Sequence, residues 1–96
     1  MFIISLTYKS SIESVEQLIP QHNIFLSKYY KSGHFIASGR KEPRTGGIII
    51  ANAKSKEVIE KIISEDPFYI HQVADYEITA FIPTKYNENF KLFIED

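Results

Sequence analysis

Three isoleucines in succession, Ile48 to Ile50, restrict this chain more than any other stretch. Side chains alternate between the two faces of a strand, so an unbroken run of large apolar residues puts hydrocarbon on both. Such a run suits a central strand covered on two sides, and each side needs its own cover. The flanking segments supply one of them. Phe2, Ile4, Leu6 and Tyr8 alternate with Ile3, Ser5 and Thr7, the period of a strand with one strongly apolar face, over about Phe2 to Tyr8.

Ser10 and Ser11 then offer an N-cap, and Glu13 and Glu16 suit the positive end of a helix dipole. Val15, Leu18, His22, Phe25, Leu26 and Tyr29 recur at three- and four-residue steps, which is the stripe of an amphipathic helix. Pro20 falls inside that stripe. Because proline is tolerated best in a first turn, the pattern predicts a short helix over Ile12 to Leu18 and a longer one from Pro20 to Lys31, ended by Gly33. Strands are expected at Phe35 to Gly39 and Ile48 to Ala53, joined by the loop Arg40 to Gly47. Ser55 caps a second helix with Val58, Ile59, Ile62 and Ile63 inward, running to about Glu65; Asp66 and Pro67 stop it, and a short irregular segment follows. The last strand, Tyr76 to Ile82, turns Tyr76, Ile78, Ala80 and Ile82 to one face and ends at Pro83.

The order strand, helix, strand, strand, helix, strand is the split βαβ pattern of a ferredoxin-like α+β sandwich, with both helices on one face of the sheet. The other face stays bare unless a second sheet packs on it. A homodimer joined sheet to sheet is the economical expectation for the single domain, residues 1–96. The tail from Thr84 to Asp96, with Tyr86, Phe90, Leu92, Phe93 and Ile94, is too apolar for a free terminus and is expected to pack on the partner subunit; folding back on its own domain is the alternative.

Composition removes several classes of function. Acidic and basic residues are interspersed with a formal charge of −1, so there is no electrostatic footprint for nucleic acid or an anionic membrane. The absence of cysteine eliminates disulfides, thiol catalysis and thiolate metal sites, and suits a cytoplasmic protein. The opening apolar run is too short and too interrupted by Ser5 and Thr7 to span a bilayer. His34 and His71 have no second ligand at helical spacing, so no metal site is expected.

What chemistry the chain offers centres on His22 and Asp66. His22 is the titratable residue on the apolar stripe of the first helical region, and a buried imidazole needs hydrogen-bonding partners. Asp66, held at a helix exit and flanked by Phe68 and Tyr69, is its natural partner; it would fix the tautomer and leave the other ring nitrogen to move a proton. The plainer account is a satisfied core histidine and a helix-terminating aspartate that never touch. Ser38 and Gly39, at a strand end, are further candidates for contact with a ligand, as is Phe68 in an apolar pocket wall. In the loop, Gly46 and Gly47 would let backbone amides approach a ligand, and Arg44 or Arg40 could clamp a carboxylate or phenolate. No activated nucleophile and no cofactor-binding motif stands out, so the residues suit acid–base chemistry on a small molecule better than covalent hydrolysis. A non-catalytic module binding a small ligand or a partner protein is the alternative.

The opening strand FIISLTY, the helical stretch with PQHNIFL, KYYKSGHFIASG, the loop PRTGG, and SEDPFY followed by ADYEITAFIPTKY together resemble the YciI-like, or YCII-related, family from about Phe2 to Tyr86. The resemblance implies a ferredoxin-like fold, a dimeric α/β barrel and an active site built on a His and Asp pair, here His22 and Asp66. The family has been linked to dehydrochlorination of chlorinated aromatics. Relatives often carry a proline after the ASG element, where this chain has Arg40.

Overall fold

The computed structural model describes residues 1–94. Its elements are β1 (Phe2–Tyr8), α1 (Ile12–Lys31), β2 (Phe35–Arg40), β3 (Gly46–Ala51), α2 (Lys56–Ile63), α3 (Pro67–Ile70) and β4 (Ala74–Ala80), followed by a 3-10 turn, Glu88–Phe93. The strands form one antiparallel sheet in the order β2-β3-β1-β4. This is the ferredoxin-like α+β arrangement read from the sequence.

Register explains where the strands begin and end. Phe2, Ile4 and Leu6 lie opposite Ala51, Ile49 and Gly47 on one side and opposite Ala80, Ile78 and Tyr76 on the other. This row faces the helices. Val15, Phe25 and Tyr29 of α1 and Ile59, Ile62 and Ile63 of α2 close over it in one buried cluster. Ile4, Val15 and Ile59 are fully buried, each contributing roughly 1.5–3 kcal/mol of hydrophobic free energy. On the opposite face, Ile3, Ile48 and Ile50 are half-buried, and the helices give them no cover.

Several sequence-based boundaries are corrected. β3 starts at Gly46 and stops at Ala51, rather than spanning Ile48 to Ala53, because β1 offers partners only from Thr7 back to Phe2. Gly46 and Gly47 therefore belong to a strand and not to the preceding loop. β4 likewise shifts to Ala74–Ala80, the length over which it lies against β1, and leaves Ile82 outside the sheet and 85% exposed. β2 extends through Arg40. α1 is one helix and not two: Pro20 sits inside it on the exposed side, and the carbonyl that loses its N–H partner belongs to Glu16, itself on an exposed residue where water can substitute.

Ser11 caps α1 as expected, and Gly33, at φ +85°, takes the left-handed conformation just past its end. The tail makes a contact within its own chain, where the Asn52 side-chain amide donates to the Phe93 carbonyl at 2.6 Å. The final two positions of the expected tail lie outside the described residues.

Gly46 is the tightest point of the sheet, since a Cβ there would stand 1.8 Å from the Leu6 carbonyl oxygen. Gly46→Ala is expected to cost at least about 2 kcal/mol by forcing β1 and β3 apart. Gly39→Ala, which meets nothing within 4 Å, should stay within about 0.5 kcal/mol of the parent. Urea unfolding of the two variants checks both.

Candidate active site

The site begins with a buried carboxylate. Asp66 has no solvent exposure, and an isolated charge in that position would be prohibitive. The local sequence supplies its first partner. α2 ends at Ile63, short of the expected Glu65, and Asp66 is the N-cap of α3, with Pro67 in the first helical position. The extended backbone that a residue before proline prefers is also what an N-cap needs, which is why a helical turn replaces the expected irregular segment. Asp66 Oδ1 accepts the Phe68 amide N–H at 3.0 Å.

Two side chains from distant elements complete the set. His22 Nδ1 lies 2.7 Å from Asp66 Oδ1, and the Tyr76 hydroxyl donates to Oδ2 at 2.5 Å. The carboxylate is thus tied to α1, α3 and β4 together. Tyr76 faces inward opposite Leu6, and sequence reasoning put it on one face of the last strand with Ile78 and Ala80 without assigning its hydroxyl a partner. The available signal was that a buried phenol needs one. Burial, then the charge of Asp66 and the hydrogen bond to it, push the Tyr76 phenol well above its ordinary value, so it remains a donor.

The imidazole of His22 is fixed in plane as well as in position. It stacks on Phe68 with ring centroids 4.0 Å apart and 5° between planes. Because a carboxylate only accepts, Nδ1 carries the proton toward Asp66. Nε2 has no partner among the described residues. Every fully buried side-chain nitrogen and oxygen there does have one, so Nε2 is open to solvent. Beside this pair runs a second tether: Glu65 accepts from Lys28 and from the Tyr29 hydroxyl, both at 2.7 Å, and binds α1 to the α2–α3 junction one residue from Asp66.

His22 opens onto a cavity of about 240 Å³. Ser38, Gly39, Arg44, Gly46, Gly47 and Phe68 line it too, and Asp66 stands behind His22 and outside the lining. Tyr8 and Asn23, which sequence reasoning did not single out, also line it, as does Arg40, noted there as a possible anion clamp and as the departure from the usual proline. The Ser38 hydroxyl is 2.6 Å from the Tyr30 hydroxyl, and Arg44 approaches Glu16 at 3.9 Å. Among the described residues, no three His, Cys, Asp or Glu side chains gather as a metal-binding group, and no helix is long and apolar enough to cross a membrane.

Removing the Tyr76 hydroxyl leaves a buried carboxylate oxygen without a donor. Tyr76→Phe is expected to lose about 2 kcal/mol at neutral pH. The raised phenol value also has a pH signature. Above the ordinary value of 10.0 the unfolded chain ionises this tyrosine and the folded chain does not, so stability falls as pH rises. Denaturation midpoints across the alkaline range should fall more steeply for the parent than for Tyr76→Phe.

No curated protein matches the chain in a sequence search. Among solved structures, the fold is similar to that of 5-chloro-2-hydroxyhydroquinone dehydrochlorinase (TftG) from Burkholderia phenoliruptrix AC1100, determined in complex with 2,5-dihydroxybenzoquinone. The TM-score is 0.75 at 15% identity, over 92% of this chain and 96% of that one. In sequence, residues 1–82 match the family model of the YCII-related domain, and the chain belongs to that family.

Proposed function

We propose that the protein is a small-molecule enzyme in which His22 moves a proton at Nε2 and Asp66 orients it. The observation that carries this reading is the 2.7 Å bond from His22 Nδ1 to a buried carboxylate, with the other ring nitrogen left open on a ring that lines a cavity. Asp66 holds the imidazole in one tautomer and stabilises the imidazolium formed when Nε2 accepts a proton. Tyr76 and the Phe68 amide keep the carboxylate from turning away, and Phe68 holds the ring plane. These are positioning roles.

Elimination or isomerisation suits this arrangement. In an elimination, Nε2 takes a proton from a hydroxyl or carbon of the substrate. The freed electron pair forms the new double bond, and the leaving group departs with its own bonding pair. The imidazolium then gives its proton to solvent. No covalent intermediate is required, and among the described residues the Ser38 hydroxyl is hydrogen-bonded to Tyr30 and not to His22. Side chains alone supply this chemistry, so the reading calls for no cofactor. The similar solved structure is named as a dehydrochlorinase of a hydroxyhydroquinone, which makes hydroxylated and chlorinated aromatics the first compounds to try.

The assembly we propose is a homodimer in the cytoplasm. Half-buried Ile3, Ile48 and Ile50 on the outer sheet face, with exposed Ile82 and Leu92 near the C-terminus, supply apolar surface for a second copy.

With a panel of hydroxylated and chlorinated hydroquinones, the expected activity is halide release or exchange of substrate protons with heavy water. His22→Gln should lower the rate by roughly 10²–10⁴-fold while circular dichroism shows an intact fold. Asp66→Asn should lower it too. Turnover that survives His22→Gln unchanged would contradict the assignment.

A further inference from the structure

The cavity's fixed charges are of one sign. Its lining includes the guanidinium groups of Arg40 and Arg44 and no carboxylate, and the nearby Asp66 lies outside the lining, engaged by His22, Tyr76 and the Phe68 amide. Arg44 meets Glu16 only at 3.9 Å, with both side chains substantially exposed, and Arg40 has no salt-bridge partner among the described residues. The strand end and loop that bear them, Arg40 to Thr45, add Lys41 against a single acid, Glu42. Cationic groups on the low-dielectric wall of a cleft focus a positive field into it.

The rest of the wall limits the body of a ligand. Leu6, Ile19, Leu26 and Ile49 are apolar, and Tyr8 and Phe68 present rings. At about 240 Å³ the space falls below the roughly 300–1,000 Å³ of pockets for drug-sized ligands. Arg40 owes its place to register. It lies opposite Gly47 on β3, a position without a side chain and itself part of the lining. Had β2 ended at Gly39, this guanidinium would belong to a loop.

We infer that the cavity takes a small oxyanion with an apolar, single-ring body, a carboxylate or a phenolate, and that Arg40 acts with Arg44 to select the charged form. This deepens the acid–base reading and rests on it for the word substrate, but binding can be tested without turnover. A guanidinium offers paired N–H donors to a carboxylate and a fixed positive charge to a phenolate, so both chemistries meet the same side chains. With the anion at the arginines, the ring lies along the apolar wall that His22 shares.

The test is calorimetric or NMR titration with matched pairs of single-ring compounds. 4-Hydroxybenzoate against 4-hydroxybenzamide probes the carboxylate, and 4-nitrophenol against 4-nitroanisole at mildly alkaline pH probes the phenolate. The charged member of at least one pair should bind about tenfold tighter than its neutral partner, and added salt should weaken it. Arg40→Gln, on an exposed side chain, should abolish most of that preference; Arg40→Lys should retain part of it. The pair that responds identifies the anion. Equal binding of charged and neutral members, no binding of any member at millimolar concentration, or a preference untouched by Arg40→Gln would overturn the inference. The acid–base reading fails separately: anion selection by Arg40 with turnover indifferent to His22→Gln removes the catalytic role and leaves this binding assignment standing.

Discussion

A carboxylate with no access to water is the constraint on which the site depends. Asp66 is held by an imidazole from α1, a backbone amide from α3 and a phenol from β4, and removing any of these donors leaves it undersupplied. The same three bonds therefore fasten both helical segments to an edge strand of the sheet. Burial makes each bond stronger than it would be in water and makes a missing one more damaging. Structural need and proposed chemistry coincide at one residue, and stability measurements on Asp66 variants must be read beside activity for that reason.

The cavity exists because the sheet near it is built from residues with little or no side chain. Gly46 lets β1 and β3 approach, where any Cβ would collide with the Leu6 carbonyl, and Gly47, the neighbour of Arg40 across the β2–β3 pair, presents no side chain beside it. Opposite this thin wall, α1 brings His22, Asn23 and Leu26 over the opening, continuous through Pro20 because the proline points to solvent. Glu65, bonded to Lys28 and Tyr29, clamps that helix to the junction that carries Asp66. The strand pairing and the helix clamp together determine the distance across the cleft.

Much of this architecture is legible in the sequence. The alternation in Phe2 to Tyr8, the stripe through Val15, Phe25 and Tyr29, and the triple isoleucine state the order of elements and the core face. Boundaries are less legible where tertiary pairing decides them: β3 and β4 take their limits from β1, which no local pattern near Ile48 or Tyr76 reveals. Gly46 illustrates the competition, since glycine between two strands reads first as a turn residue, whereas here it serves a close approach of backbones. The sequence puts His22 and Asp66 forward as partners on residue type and resemblance. It cannot reveal the role of Tyr76, whose hydroxyl reaches Asp66 only through the register of β4 against β1. Arg40 is visible as a departure from the family pattern, but its position opposite Gly47 is set by strand pairing.

The central claim is that His22 is a single-tautomer base oriented by Asp66, with Nε2 left to exchange protons with a ligand. Nitrogen-15 NMR of the imidazole tests this most directly. In the neutral ring, the account predicts a protonated Nδ1 and an unprotonated Nε2, with the Nε2 resonance moving when a single-ring anion is added. A proton found on Nε2, or a ring averaging between tautomers as a solvated histidine does, would contradict it.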